Sequence, residues 1–176
     1  MREVNLIPGV TDWMLIAIQA LHPFYKTRTG EVVASWMTRL DRETAIRNNI
    51  DYVSRVLERE LGSSDGADSA PLVFTGFSQG TAMAYRAAAG AGHPSQGLIA
   101  LGGDVPPELA DRDLDGFPPV LIGRGSREEW YSQGQLESDV AVLRAKGIAV
   151  ETCIYTGGHE WTKEFRQRCT KFLTQI

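Results

Sequence analysis

The sequence has few cysteines and no excess of charge of one sign. Its two cysteines, Cys153 and Cys169, lie 16 positions apart, which fits neither a disulfide framework nor the C-x-x-C spacing of a zinc or redox site. We therefore expect two buried free thiols and no bound metal. Eighteen Lys and Arg face 22 Asp and Glu with no block of like charge, and the formal net charge is -4. This balance argues against nucleic-acid binding.

Long hydrophobic runs are also missing. The longest apolar stretch, Trp13 to Leu21, is interrupted by Gln19 and is shorter than the roughly 18 residues that a transmembrane helix needs. We therefore expect no transmembrane segment. Asp12 lies just upstream, and no small-residue cleavage pattern follows, so the stretch does not resemble a signal peptide. The expected compartment is the cytoplasm.

What the chain does have is a regular alternation of short apolar runs and longer segments with helical period. A chain of 176 residues that is 43% apolar can bury a core without cross-links, so we expect one domain over residues 1–176. The alternation is typical of βαβ units and predicts an α/β fold, with a mostly parallel sheet of about five strands and helices on both faces. The predicted strands are Met14–Ala20, Leu72–Thr75, Gly97–Leu101, Val120–Gly123 and Ile148–Tyr155.

Three helices can be predicted from apolar spacing. The clearest begins after Asp41, a potential N-cap, and ends at Gly62, with apolar residues at spacings of four, three and four. A second ends before Gly147, and a third runs from Thr162 to the C-terminus. The small, polar stretch Ser63–Ala70 is typical of a surface loop and is too short to link two domains.

The first chemical signal follows the strand Leu72–Thr75, where Gly76–Gly80 reads G-F-S-Q-G and a small, helix-prone stretch comes next. A G-x-S-x-G motif between a strand and a helix is typical of a nucleophilic serine, because the tight turn exposes the hydroxyl above the sheet. We therefore predict Ser78 as the nucleophile. The backbone N–H of Gln79, at the positive end of the following helix, is the predicted oxyanion donor.

A serine nucleophile needs a histidine base, and the chain has three histidines. His22 and His93 each precede a proline, and we assign both to loop structure. His159 lies in a Gly-rich segment after the last predicted strand. This is the carboxyl edge of the sheet, where open α/β folds usually have their active sites. His159 is the predicted base.

The acid that orients the histidine has more than one candidate. Glu128 and Glu129 both follow the strand Val120–Gly123. Asp104 follows the strand Gly97–Leu101 and is a third candidate. Position along the chain favours Glu128, but the residues alone leave the three open.

Three blocks of the chain resemble the catalytic blocks of the phospholipase/carboxylesterase family of α/β-hydrolases. They are Gly76–Gly80, the turn Gly125–Glu128, and Gly157–Glu160. The family's acid turn usually reads H-G-x-x-D, so the resemblance places its aspartate at Glu128 and its histidine at Arg124. It implies an esterase with a catalytic triad of Ser78, Glu128 and His159, and no cofactor.

The resemblance also assigns weaker roles to aromatic residues. The segments Leu21–Phe24 and Ala34–Met37 resemble the family's loop beside the acyl pocket. Substrate contact is therefore expected, with equal weight given to plain packing, for Phe77, Trp36, Trp130 and Trp161.

At its N-terminus the chain departs from the family. The family opens with further strands and an H-G-x-G-like loop that supplies a second oxyanion donor, whereas only 13 residues precede the first predicted strand here. Residues 1–7 resemble the end of the helix after that loop. The missing strand would leave a gap in the sheet, closed by the flanking strands, by residues 1–7, or by a second chain; we expect a homo-oligomer.

Two functions compete at this level. The first is a serine carboxylesterase that acts on small-molecule acyl esters through an acyl-enzyme. The second is a truncated hydrolase-fold scaffold or binding module with an unproductive or weakly active triad. Labelling of Ser78 by a fluorophosphonate separates them, because only an activated serine reacts.

Overall fold

The computed structural model describes residues 2–62 and 71–176, so the predicted loop Ser63–Ala70 lies outside the described residues. Their helices are α1 (Arg42–Leu61), α2 (Gln79–Gly90), α3 (Gln133–Ala145) and α4 (Lys163–Leu173). Their strands are β1 (His22–Tyr25), β2 (Val32–Ser35), β3 (Val73–Phe77), β4 (Gly97–Leu101), β5 (Val120–Gly125) and β6 (Val150–Tyr155).

The last four of these strands form one parallel sheet, in the order β3-β4-β5-β6. Each is followed by a helix or a longer connection, as parallel pairing requires. The α/β prediction is therefore confirmed, and the predicted strands 97–101, 72–75, 120–123 and 148–155 correspond to β4, β3, β5 and β6 within a few residues. The described sheet has four parallel strands instead of about five.

Helices pack on both faces of this sheet because its strands carry apolar side chains on both faces. Successive residues of β4 alternate between two core clusters: Leu98 belongs to one and Ile99 to the other. The first cluster includes Leu57 of α1 and Leu143 of α3. The second includes Phe165 of α4. A fully buried strand of this kind explains the continuous apolar runs in the sequence.

The helix boundaries follow from local capping. Ser132 and Gln135 form a reciprocal capping box at the start of α3, and the Thr162 hydroxyl accepts a hydrogen bond from the Phe165 N–H at the start of α4. Asp41 precedes α1 as predicted but makes no side-chain capping bond, because its backbone is left-handed with φ 47°. The predicted stop at Gly62 is confirmed, with φ 82°.

The predicted strand Met14–Ala20 is wrong. These residues are not part of any described strand, and β3 is the edge of the parallel sheet. A run of apolar residues becomes a strand only when another strand pairs with it. Instead, residues 14–18 and β3 both line an apolar groove of about 760 Å³.

Two of the three ways to close the sheet are therefore also excluded, since neither residues 14–20 nor residues 2–7 pair with β3. The segment 2–13 holds only two short 3-10 turns, Val4–Leu6 and Val10–Asp12. It packs on α4, where Arg166 pairs with Glu3 and the Thr170 hydroxyl donates to the Pro8 carbonyl at 2.8 Å.

A two-stranded antiparallel hairpin, β1 with β2, was not predicted. It contains most of the Leu21–Phe24 segment, which the resemblance assigned to a loop. Pro23 in a strand that has a partner on one side only is tolerated, because such a strand needs fewer ladder bonds.

The two cysteines are free thiols. Cys169 is buried, and burial raises its pKa to about 12. The prediction for Cys153 is only partly right, because this residue is half-buried on β6. Across residues 2–62 and 71–176, no helix is both long and apolar enough to cross a membrane.

Parallel pairing in this register places the carboxyl ends of the four strands at the same edge of the sheet. Phe77 pairs with Leu101, which pairs with Gly123, and Gly125 pairs with Tyr155. The segments directly after these strands carry the predicted nucleophile, the predicted base and the three candidate acids. They therefore meet above one edge of the sheet, as is usual for open α/β folds.

Candidate active site

Ser78 lies on a strained turn between β3 and α2. Its backbone has φ 54° and ψ -123°, a conformation that a non-glycine residue rarely adopts. The turn is held by a hydrogen bond of 2.8 Å from the Ser78 N–H to the Leu101 carbonyl, and by the Thr81 N–H, which donates to the Ser78 carbonyl. The sheet and the helix thus jointly fix the serine.

The two glycines of the motif have different roles. A Cβ atom on Gly76 would lie 2.4 Å from the Gly80 carbonyl oxygen, so the strand and the helix can approach only if residue 76 is glycine. A Cβ atom on Gly80 would meet nothing within 4 Å outside its own helix. The close approach therefore depends on the first glycine alone.

Glu128 and His159 form the most direct polar contact of the site. The distance from Glu128 Oε2 to His159 Nδ1 is 2.7 Å, and the Glu128 side chain is fully buried. The other carboxylate oxygen accepts a hydrogen bond from the Trp130 N–H at 2.9 Å. A carboxylate at Nδ1 favours the tautomer with its proton on Nδ1, which leaves Nε2 free to accept a proton.

The loop that carries His159 is held by β5. A Cβ atom on Gly125 would lie 2.3 Å from the Gly158 carbonyl oxygen, and the Arg127 N–H donates to the Gly157 carbonyl at 2.8 Å. The Tyr155 hydroxyl donates to the Glu160 carbonyl at 2.6 Å. Burial, followed by the charge of Glu128, raises the pKa of Tyr155 to about 12, so this hydroxyl stays a donor at neutral pH.

Phe77 connects the serine turn to the histidine. Its ring centroid lies 4.6 Å from that of His159, with the planes inclined by 32°. On the other side, a Cβ atom on Gly102 would lie 3.0 Å from His159, and one on Gly103 would lie 2.5 Å from the Ser78 carbonyl oxygen. The histidine therefore lies against Gly102, and the serine turn lies against the next residue, Gly103.

A cavity of about 320 Å³ opens beside the serine. It is lined by Ser78, Gln79 and Trp130, among others, and 77% of Trp130 is exposed to solvent. The Gln79 side chain is hydrogen-bonded to the end of β2. Its Oε1 accepts from the Trp36 N–H at 2.9 Å, and its Nε2 donates to Ser35 Oγ at 3.0 Å.

The other predicted site residues differ in how close they lie to Ser78 and His159. Asp104 is exposed at the cavity wall, and Glu129 is exposed; among the described residues, the carboxylate hydrogen-bonded to a histidine is that of Glu128. Trp36 packs beside α1, where its carbonyl accepts from Asn49 at 2.6 Å. Trp161 packs on Phe165 with a centroid distance of 5.3 Å. Of the four aromatic residues, Trp130 alone lines the cavity beside the serine, and Phe77 contacts the histidine.

Sequence reasoning missed three residues that shape the site: Tyr155, Arg42 and Arg86. It gave Arg124 no role beyond the position of the family's histidine. Arg124 is buried; its Nε donates to the Tyr131 carbonyl at 2.7 Å, which holds the acid turn. Arg86 also is buried, and it lines the cavity together with Arg42. A sequence signal existed for Arg86, because it is the one charged residue in the helical stretch Thr81–Ala89.

No group of three histidine, cysteine or acidic side chains in the described part of the chain is arranged to hold a metal ion. The polar groups at the site instead include a carboxylate-bound imidazole and a serine hydroxyl. These groups are suited to proton transfer and nucleophilic attack.

Comparison with known proteins finds one matching family and several similar folds. Residues 31–176 match the model of a family described as phospholipase/carboxylesterase. Among solved structures, Arabidopsis thaliana SOBER1 is 16% identical with a TM-score of 0.72, over 99% of this chain and 88% of that one. Esterase PE8 is 23% identical with a TM-score of 0.62, over 90% and 76%. Zea mays acyl-protein thioesterase 2 is 18% identical with a TM-score of 0.60, over 89% and 78%. Among curated proteins, no sequence matches the chain.

Proposed function

Because the chain belongs to the phospholipase/carboxylesterase family, we propose that it is a serine carboxylesterase that hydrolyses acyl esters with Ser78, His159 and Glu128. The family supports a hydrolase. The choice of carboxylic esters and the roles of these three residues are our proposal.

The observation that carries the proposal is the contact between Glu128 Oε2 and His159 Nδ1, 2.7 Å long and made by a fully buried carboxylate. A carboxylate without access to water is costly unless it is hydrogen-bonded, and both oxygens of Glu128 have a partner. Such a carboxylate orients the imidazole and stabilises the imidazolium that forms during catalysis. A surface ion pair would do neither.

In the proposed reaction, Ser78 Oγ attacks the ester carbonyl carbon while His159 Nε2 takes the hydroxyl proton. The tetrahedral intermediate then collapses, and the imidazolium gives its proton to the departing alkoxide, so that an alcohol leaves and Ser78 is acylated. A water molecule next attacks the acyl carbon, and His159 takes its proton. The same proton returns to Ser78 Oγ as the carboxylic acid leaves.

The Gln79 N–H is the proposed donor to the oxyanion. Gln79 is the first residue of α2, where the N–H groups have no partner within the helix and the helix dipole is positive. The hydrogen bonds of its side chain to Trp36 and Ser35 hold this residue in place. Removing a single oxyanion donor costs about 10² to 10³ in kcat in a well-characterised serine hydrolase.

The test is a fluorophosphonate probe together with a 4-nitrophenyl ester of a short acid. We expect stoichiometric labelling of Ser78, and a loss of at least about 10⁴ in kcat on Ser78→Ala or His159→Ala. Glu128→Gln is expected to cost about 10² to 10⁴. The matched controls are Ser126→Ala and Glu129→Gln, at exposed positions beside the site. Their kcat and their labelling should stay close to those of the unmodified protein.

Two results would reject the proposal. One is ester hydrolysis that survives Ser78→Ala. The other is a folded protein that neither labels nor hydrolyses any ester, which would favour a scaffold role for this chain.

A further inference from the structure

Two arginines line the cavity beside Ser78, and the proposed reaction uses neither of them. Arg86 lies on α2 and Arg42 begins α1. Only 3% of the Arg86 side chain is exposed, whereas Arg42 has 43% of its side chain in solvent. A guanidinium is rarely buried without a partner for most of its five donors.

The hydrogen bonds of Arg86 are incomplete. Its Nε donates to Glu108 Oε1 at 2.6 Å. Its Nη1 lies 3.3 Å from the Met37 sulfur, which is a weak acceptor. In residues 2–62 and 71–176, neither Nη atom of Arg86 has an oxygen acceptor. These donors belong to a nearly buried cation in the wall of the cavity, so an oxyanion in the cavity would satisfy them.

Glu108 faces both arginines, with its Oε2 at 3.8 Å from Arg42 Nη2. Burial alone would raise the pKa of Glu108, but the hydrogen bond from Arg86 and the charges of both arginines outweigh burial and lower it. One ionised carboxylate therefore faces two guanidiniums. Asp104 adds a second negative charge at the wall, but it is exposed and hence more strongly screened by water.

The spacing along α2 indicates the size of the ligand. Ala82 and Arg86 share one face of α2, Ser78 precedes them at the same interval of four on the turn before the helix, and all three line the cavity. Eight residues of helix rise about 12 Å. Long side chains on a helix generally point back toward its N-terminus, and the small residue Ala82 lines the cavity between the two ends. An anion at Arg86 would therefore lie a few bonds from a carbonyl at Ser78.

We propose that this cavity binds a carboxylate of the substrate, so that the preferred substrates are short acyl esters with a carboxylate at the far end of the acyl chain. This inference rests on the proposed esterase function. Arg86 and Arg42 are its specificity-determining residues, and Asp104 opposes them. A bidentate contact with a planar carboxylate suits the guanidinium geometry of Arg86.

The kinetic test compares mono(4-nitrophenyl) glutarate with 4-nitrophenyl pentanoate, which have acyl chains of equal length. We expect the unmodified protein to favour the anionic ester by about tenfold or more in kcat/KM, mainly through KM, as hydrogen bonds to charged groups imply. Arg42→Gln should reduce this ratio about tenfold. Asp104→Asn should raise it. Arg112→Gln, an exposed arginine away from the cavity, is the matched control and should leave the ratio unchanged.

Arg86 needs a variant that does not leave Glu108 alone in a half-buried position. We therefore pair Arg86→Gln with Glu108→Gln, and add Arg86→Lys, which keeps the charge but loses the planar fork. Both should reduce the ratio about tenfold, while the unfolding midpoint in urea checks that the variants are folded. Equal kcat/KM for the two esters, or a ratio unchanged by all the arginine variants, would overturn the inference.

A binding test does not depend on catalysis. Titration calorimetry with glutarate should detect binding to the unmodified protein and to Ser78→Ala, and the affinity should fall about tenfold in Arg42→Gln. Tighter binding of inorganic phosphate than of glutarate would overturn the assignment of a carboxylate, as would the absence of any glutarate binding. If only the proposed esterase function is wrong, the protein should still bind glutarate but show no hydrolysis that depends on Ser78.

Discussion

The backbone of Gly125, at the end of β5, lies against the carbonyl oxygen of Gly158, so that a Cβ atom on Gly125 would come within 2.3 Å of that oxygen. The contact joins the strand that precedes Glu128 to the residue that precedes His159. The acid and the base are therefore positioned by direct backbone packing between their two loops.

Gly125→Ala should displace the His159 loop. The new methyl group would meet backbone atoms of Gly157 and Gly158, which cannot move away by a change of rotamer. We expect a loss of about 1–3 kcal/mol in the free energy of unfolding and at least about 10² in kcat, measured by urea unfolding and ester hydrolysis. Gly158→Ala is the matched control, since the nearest atom to its Cβ would lie 3.8 Å away. Equal effects of the two variants would contradict this account.

The two glycines of the serine motif should respond differently to alanine. Gly76→Ala places a methyl group 2.4 Å from the Gly80 carbonyl oxygen and should reduce both stability and fluorophosphonate labelling of Ser78. Gly80→Ala meets no atom outside its helix and should be neutral or stabilise the protein by up to about 1 kcal/mol, because alanine is the better helix former. Thermal unfolding and labelling rates measure both. A severe effect of Gly80→Ala would show that this motif is packed differently.

Asp139 should make stability depend on pH. Its Oδ2 accepts from the Tyr131 hydroxyl at 2.8 Å and from the Val105 N–H at 3.0 Å. Burial raises its pKa above the ordinary value of 3.8, so the folded state binds the proton more tightly than the unfolded state. The stability that protonation provides is complete below pH 3.8 and is lost as pH rises through the folded-state pKa.

Asp139→Asn cannot titrate, so it should not lose stability as the pH rises, and its amide still provides an oxygen acceptor. Its free energy of unfolding relative to the unmodified protein should therefore increase as the pH rises from about 4 to about 8. The increase should be less than about 1 kcal/mol, because solvent screens a partly exposed carboxyl. Asp139→Ala should cost about 1–3 kcal/mol throughout, since two donors lose their acceptor. Urea unfolding at several pH values measures both. A relative stability of Asp139→Asn that falls with pH would reverse the sign and refute the assignment.

The edge of β3 predicts self-association. Leu72 O and Ser78 N bond toward β4, so the alternate residues Val73, Thr75 and Phe77 direct their backbone groups away from it, toward the groove. A second copy of the chain would pair with such an edge. We expect light scattering to detect an oligomer whose population rises with concentration, and Thr75→Lys to weaken it by placing a charge on the edge. A mass that corresponds to one chain at every concentration would contradict the prediction.

Local sequence determined much of this fold. The runs 97–101 and 120–123 are apolar throughout, so burial between two helix layers was readable from composition alone. The same applies to α1, whose apolar spacing and terminal Gly62 fix its face and its end. Ser78 and His159 could be proposed from the sequence because glycines surround them at the ends of strands, a pattern that reflects local backbone geometry.

Only the tertiary structure decided the features that depend on a distant partner. Residues 14–20 have the composition of a strand, but no strand pairs with them, and so they form none. Glu128, Glu129 and Asp104 have the same chemistry in the sequence; Glu128 is distinguished by a histidine 31 positions later that packs against it. Arg86 and Arg42 line one cavity although they lie on two different helices, 44 positions apart in the chain. Hydrogen bonds and charges act over a few ångströms in space, whereas sequence patterns record only neighbours along the chain.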